Sequence, residues 1–222
     1  MTLVIAIMAK CPAAQDVKTR LSPRLDREQR ARLYEAFFVD KVHAVCALTD
    51  VRSAIVYTPE RSRSWFEARA PECELVAQHK GELGARVIAA YDALFARGAS
   101  AVVLTDSDSP SLPARYLADA ADALRSGSEL VVGPAADGGF FLLGLRQPRP
   151  ELFEGVPWST SAALSRMLAN ARGLGLAPRL LSPWYDVDEP QDLEQLASDV
   201  AHGRGEACPH TEAALRALGL IA

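Results

Sequence analysis

Two carboxylates one residue apart close an apolar run in "AVVLTDSDSPSLP", residues 101–113: Asp106 and Asp108. On an extended strand they have the same parity and point to one face. Two anions side by side repel unless a cation, a proton or a basic side chain lies between them. Either a metal site or a solvated turn with helix-capping aspartates satisfies that requirement. A second acidic pair, Asp186-Val187-Asp188, also follows an apolar run and directly precedes a helical pattern. If the fold brings the two run ends together, Asp108 and Asp188 suit Mg²⁺ (or Mn²⁺). Such an ion needs only one or two carboxylates plus substrate phosphates, and Asp106 is a further candidate ligand.

Basic residues of matching promise lie in the first loop, "AKCPAAQDVKTRLSPRL". Lys10 ends the first apolar run. Lys18 and Arg20 are either a solvated pair or an anion clamp, and Arg20 can hold a phosphate bidentately. The loop contains no glycine and the chain has no GxxxxGK[ST] or GxGxxG, so a backbone phosphate cradle is not expected. In "GELGARV", residues 81–87, Gly84 can admit a flat base and Arg86 can face an anion; the alternative is a plain loop entering a helix. In "PAADGGFFLLG", Asp137 precedes Gly138 and Gly139. Asp-Gly is a hairpin-turn signal, but paired glycines also let a ligand approach the backbone. "PWST", residues 157–160, supplies an N-cap.

Short apolar runs alternate with amphipathic ones. Strands are expected at Leu3–Met8, Ala54–Thr58, Glu74–Ala77, Ala101–Thr105, Glu129–Gly133, Phe140–Gly144 and Leu180–Tyr185. Helices are expected at Arg27–Leu48, Arg61–Arg69, Leu83–Arg97, Ala114–Arg125, Ser161–Arg172, Pro190–Ala201 and Glu212–Leu218. Leu33, Phe37, Phe38, Val42, Val45 and Cys46 follow helical spacing, and Asp26 with Gln29 forms a loose capping box. The alternation predicts an α/β fold, a mostly parallel sheet covered on both faces. No helix separates the two runs around "PAADGG", so one of them is expected to pair antiparallel. Ligands of such sheets bind at the carboxyl ends of strands, where Lys10, Asp106, Asp108 and Asp188 fall.

The 222 residues carry 24 Lys and Arg against 28 Asp and Glu, a net charge of −4. That balance argues against a nucleic-acid or membrane-surface partner. No apolar run approaches the roughly 20 residues of a membrane span, and Met1 to Ala9 is too short for a signal peptide. A single cytoplasmic domain over 1–222 is expected. Cys11, Cys46, Cys73 and Cys208 show no CxxC spacing, which predicts reduced thiols. Cys208-Pro209-His210 has no further metal ligands nearby in sequence.

Six segments, in order, carry a resemblance: "AKCP…VKTRL", "GELGARV", "DSDSPSLP", "GPAADGGFFLLGL", "PWST" and "DVDEPQDL". The chain resembles bacterial glycosyltransferase-A-type proteins known as radical-SAM/selenodomain-associated transferases. More distantly it is similar to phospholactate guanylyltransferase and to molybdenum-cofactor and uridylyltransferase-type nucleotidyltransferases. The resemblance implies a three-layer α/β/α sandwich with a mixed sheet. It implies that Lys18-Thr19-Arg20-Leu21 lies in the nucleotide-binding loop, that Gly84 lies near the base, and that Asp108 and Asp188 bind the metal. Two positions depart from the family pattern. Gln15-Asp16 stand where Gly-Arg is usual, and Asp106 stands where glycine is usual, creating the D-x-D of many nucleotide-sugar transferases. The reading is a Mg²⁺-dependent transferase. It passes a nucleotidyl group from a nucleoside triphosphate to an anionic small-molecule acceptor, with Lys18, Arg20 and Asp108 as catalytic residues. The alternatives are glycosyl transfer from a nucleotide-sugar and a non-catalytic nucleotide-binding protein. A homodimer is compatible with either enzyme.

Overall fold

The computed structural model describes residues 2–222. Seven strands form one sheet: β1 (Leu3–Lys10), β2 (Arg52–Thr58), β3 (Glu74–Ala77), β4 (Ala101–Thr105), β5 (Leu130–Pro134), β6 (Phe140–Leu145) and β7 (Arg179–Leu180). Their spatial order is β3-β2-β1-β4-β6-β5-β7. The β1–β2, β1–β4, β2–β3 and β5–β7 pairs are parallel. β6 alone runs antiparallel, to both β4 and β5. It is the second of the two runs around "PAADGG", where a short turn leaves no room for a crossover helix.

The helices are α1 (Arg27–Cys46), α2 (Arg63–Arg69), α3 (Leu83–Ala96), α4 (Ala114–Arg125), α5 (Ala163–Gly173), α6 (Pro190–Ala201) and α7 (Pro209–Ala217). Asp26 and Gln29 complete the expected capping box of α1. α6 begins with a second box, Glu189 with Asp192, and Pro190 in its first turn, where its missing N–H costs nothing.

Strand parity sorts the core into layers. Leu3, Ile5 and Ile7 of β1 pack with Phe38 and Val42 of α1 and Leu117 and Leu124 of α4. Val4 and Ala6 pack on the opposite face with Val87, Tyr91 and Leu94 of α3 and Met167 of α5. Both faces of the central strands are thus covered, as buried parallel strands require. A third cluster joins Leu21 and Leu25 of the first loop to Leu33 and Phe37 of α1, Leu193 and Leu196 of α6, Leu215 of α7 and Val187. No described helix is long and apolar enough to cross a membrane.

Two expectations need correction. The last strand is shorter than Leu180–Tyr185: its ladder covers Arg179–Leu180, followed by an isolated bridge from Trp184 to Ala135. Pro183 interrupts it, because proline has no N–H to give a ladder. β4 ends at Thr105, so Asp106 and Asp108 lie in the turn beyond it and strand parity does not set their directions.

Candidate functional site

A cleft of about 630 Å³ opens at the carboxyl ends of β1 and β4. Lys10, Lys18, Arg20, Arg86, Asp106, Asp108, Asp137, Gly139 and Asp188 all line it. Gly84 and Gly138, also singled out from sequence, do not.

Lys18 is the hinge of the arrangement. Its Nζ lies 2.8 Å from Asp188 Oδ1 and 3.0 Å from Asp108 Oδ1, with its side chain only 3% exposed. The residue adopts a left-handed backbone, φ 50° and ψ 42°, which costs a non-glycine residue on the order of 1 kcal/mol or more. A short 3₁₀ turn, Thr19–Leu21, follows at once and buries Leu21. The loop therefore spends backbone strain to turn one ammonium inward. Burial opposes the charge on Lys18, but Asp108 and Asp188 outweigh it and hold its pKa above the ordinary lysine range. Burial also acts against the Asp188 carboxylate, but Lys18 holds its pKa below the usual value. Asp108 goes the other way: burial raises it, and the nearby Asp106 and Asp188 carboxylates add to the rise. Arg20 sits outside the pair, 60% exposed, with Nη1 at 3.5 Å from Asp188 Oδ2.

Asp106 does not share that cation. Its Oδ1 accepts from Ser109 Oγ at 2.6 Å and lies 3.4 Å from Lys41 Nζ, which is buried and also donates to Ser109 Oγ at 2.8 Å. Asp106 and Asp108 thus answer to different lysines. Asp106, Asp108 and Asp188 do not gather their oxygens within 4.8 Å of one another as a group. Asp106 Oδ1 is engaged by the turn and by Lys41. Asp186 faces the cleft too. Burial and the carboxylates of Asp106, Asp188 and Asp137 push it up to about 7.

Asp108 and Asp188 fit a divalent ion in one respect that can be measured. An oxygen of each already lies within 3.0 Å of a single cationic centre, the Lys18 ammonium. Two carboxylate oxygens are the protein share of a site completed by phosphates.

The remaining expectations resolve as follows. Gly84 is in the first turn of α3 and is covered by Trp158: a Cβ built there would lie 2.5 Å from the indole Nε1. Trp158, itself on the cleft wall, covers the space that the missing side chain of Gly84 leaves. Gly138, at φ +90°, lets the β5–β6 turn meet the backbone of Ser161, where a Cβ would stand 2.2 Å from its carbonyl oxygen. Its close approach here is to the Ser161 backbone. The Asp137 carboxylate accepts from Gly139 N at 2.8 Å. Arg86 donates to Gln78 Oε1 at 3.2 Å, and its buried Nε has no partner. Gln15 and Asp16 do not line the cleft. Asp16 is paired with Arg30 at 2.9 Å, and Gln15 Nε2 donates to Thr58 Oγ1. Arg30 also donates to Val17 O and Leu25 O, so the reversed charge at position 16 is neutralised and anchors the loop.

Sequence reasoning missed Arg30, Tyr34 and Lys41. Tyr34 OH accepts from Lys10 N at 2.9 Å and shares a proton with Ser107 Oγ at 2.8 Å. The signal was present. These three polar residues stand at three- and four-residue steps from Leu33, Phe37 and Val45, on the face of α1 that the apolar pattern buries. A buried polar group needs a partner, and the first loop and the turn after β4 supply it.

The sheet order and the charged cleft at its carboxyl edge define a nucleotide-diphospho-sugar transferase fold, of glycosyltransferase-A type. Within it, the chain belongs to the DUF2064 family, described as an uncharacterized protein conserved in bacteria, whose model matches residues 41–160. It is similar to a candidate nucleotide-diphospho-sugar transferase from Desulfovibrio desulfuricans G20: TM-score 0.86, 30% identity, 98% of this chain and 97% of that one. Its fold is also that of CMP:2-keto-3-deoxy-manno-octonic acid synthetase complexed with CTP, at TM-score 0.58, 13% identity, and 91% and 100% coverage. Glucosyl-3-phosphoglycerate synthase from Mycobacterium tuberculosis, in complex with Mn²⁺, UDP and glucosyl-3-phosphoglycerate, aligns at TM-score 0.54, 13% identity, and 93% and 81% coverage. No curated protein matches the chain by sequence.

Proposed function

We propose that this chain, acting as one nucleotide-binding unit, transfers a nucleotidyl group from a nucleoside triphosphate to a small anionic acceptor and releases pyrophosphate. The observation that carries the reading is the Lys18 ammonium, held between Asp108 and Asp188 at the mouth of the cleft. A carboxylate pair that needs a cation, beside a lysine on a strained loop, suits a site that exchanges cations when an anionic ligand enters.

Asp108 and Asp188 would hold Mg²⁺ or Mn²⁺, which when bound neutralises phosphate charge and orients the transferred group. Lys18 offsets part of the charge of the pair before ligand arrives and then turns from a carboxylate to a phosphate oxygen. Arg20 and Lys10, both exposed on the cleft, stabilise the charge that grows on the leaving pyrophosphate as the acceptor oxygen attacks the α-phosphorus. Trp158 offers an aromatic face to the base, and Arg86, whose buried Nε has no partner, lines the same cleft. No side chain serves as a covalent nucleophile, so the rate gain is positioning and electrostatics. The pairing of Asp16 with Arg30 weighs against the reading that the first loop is disabled.

Glycosyl transfer is the second reading, supported by the 30% identical relative and its description as a candidate nucleotide-diphospho-sugar transferase. The deciding experiment offers nucleoside triphosphates and nucleotide-sugars with Mg²⁺ or Mn²⁺ and a panel of phosphorylated acceptors. Pyrophosphate release supports the first reading. A nucleoside diphosphate released from a nucleotide-sugar replaces it with the second.

A further inference from the structure

The geometry points to a second cation site, remote in function from the cleft: a transition-metal site of Zn²⁺ type formed by Asp40 and His43 of α1 and His210 of α7. One potential ligand atom from each of these residues lies within 4.8 Å of the other two. They form the one group of three or more His, Cys, Asp and Glu residues among the described residues that converges so closely. Asp40 and His43 are three apart on one helix and so are neighbours on its surface. His210 arrives from the first turn of the C-terminal helix. Its sequence neighbourhood, Cys208-Pro209-His210, offered too few ligands; the fold supplies the rest.

The chemistry of the donors selects the ion. Two imidazoles and one carboxylate suit zinc and its neighbours and do not suit magnesium. The side chains are prearranged. Asp40 is 2% exposed, and its Oδ2 accepts from Thr211 N at 2.7 Å. Its Oδ1 accepts from His210 N at 3.1 Å and lies 2.8 Å from His210 Nδ1. The His43 and His210 rings meet edge to face, with centroids 5.1 Å apart, and both residues are exposed. A carboxylate fixed by backbone donors is a rigid ligand, and two exposed imidazoles leave the remaining coordination positions to water.

In the metal-free arrangement a proton links Asp40 Oδ1 and His210 Nδ1. Coordination at Nδ1 leaves the neutral ring carrying its proton on Nε2 instead. Two ligand atoms on a tetrahedral ion with bonds of about 2.0 Å stand about 3.3 Å apart, so the present 2.8 Å contact opens by only about half an ångström. The ion would tie α7 to α1, beside Lys41, the residue that holds the Asp106 turn.

The test is calorimetric titration of tag-free, metal-stripped protein with Zn²⁺ alone, paired with thermal unfolding. One equivalent is expected to bind and to raise the unfolding temperature. His43→Ala with His210→Ala should weaken binding tenfold or more; both rings are exposed, so the fold is retained. His79→Ala with His202→Ala should bind as the parent does. Asp108→Asn with Asp188→Asn, which removes the carboxylates of the proposed transferase site, should also keep the equivalent. Absence of saturable binding, or an equivalent that survives loss of His43 and His210, overturns the site. So does loss of the equivalent only when Asp108 and Asp188 change, which would place the ion in the cleft.

Discussion

Leu21 and Val187 are both fully buried in the same small apolar cluster, one from the first loop and one from the segment before α6. Each is flanked by charged residues of the cleft: Lys18 and Arg20 on one side, Asp186 and Asp188 on the other. The cluster therefore sets the distance between a lysine and an aspartate 170 residues apart. Hydrophobic burial does the positioning, and the polar contact follows. Leu21→Ala should then reduce stability by about 2 to 4 kcal/mol as a core truncation. It should also weaken nucleotide binding, although Leu21 does not line the cleft. Denaturant unfolding and a nucleotide titration on the same variant check both effects. Full binding with reduced stability would separate the cluster from the site.

Lys18→Met leaves the Asp108–Asp188 pair without its cation. Breaking a buried pair costs about 3 to 5 kcal/mol. Here Asp108 and Asp188 are 32% and 40% exposed, so solvent screening cuts the expected loss to about 1 to 3 kcal/mol. Millimolar Mg²⁺ or Mn²⁺ should restore more stability to this variant than it adds to the parent, because the ion takes the place of the ammonium. Thermal unfolding with and without the ions measures it. An equal response in both proteins would remove Asp108 and Asp188 from the metal assignment. Asp108→Asn and Asp188→Asn should each abolish metal-dependent nucleotide binding by calorimetry.

Much of this was legible in the chain. Seven strands, their approximate ends and the antiparallel pairing followed from apolar runs and from a turn too short for a helix. The acidic strand ends at 108 and 188 and the basic first loop were visible as residue types at carboxyl ends. Pairing was not legible. That Lys18 answers both Asp108 and Asp188 depends on a left-handed backbone at a lysine, which no local signal announces. That Lys41 answers Asp106 depends on which turn of α1 passes the end of β4. What Gly84 and Gly138 pack against was not legible for a related reason. A glycine reports that something comes close, and only the fold says whether it is a ligand, the Trp158 indole or the Ser161 backbone.

Asp106→Asn should leave the metal titration unchanged and lower stability, because Asp106 serves Lys41 and Ser109. Lys41 is 1% exposed, and burial already pulls its pKa below the ordinary lysine value, with Asp106 opposing. Unpaired, it becomes a buried charge with one hydroxyl partner. Lys41→Met in the same chain should recover part of the loss, giving a coupling energy of about 0.5 to 3 kcal/mol in a double-mutant cycle. Additive losses would show that the two side chains do not act on each other.

The last expectation concerns how the cleft divides a nucleotide among its residues. Arg20 is an exposed cation beside Asp188, Lys10 is a second exposed cation on the cleft, and Trp158 is an aromatic wall over Gly84. Phosphate and base should therefore be read by different residues. Arg20→Ala should weaken a nucleoside triphosphate and inorganic triphosphate alike, by roughly tenfold or more, since a charge-assisted hydrogen bond contributes about 1.5 to 3 kcal/mol. Trp158→Ala should weaken the nucleoside triphosphate but leave inorganic triphosphate unchanged, because stacking on an aromatic ring contributes about 1 to 3 kcal/mol per base. Competition titrations of both ligands against both variants decide it. If Trp158→Ala affects the two ligands equally, the indole is part of the wall and not the seat of the base. If it tightens nucleotide binding, the indole occupies the base position and must be displaced from Gly84 before the ligand can enter.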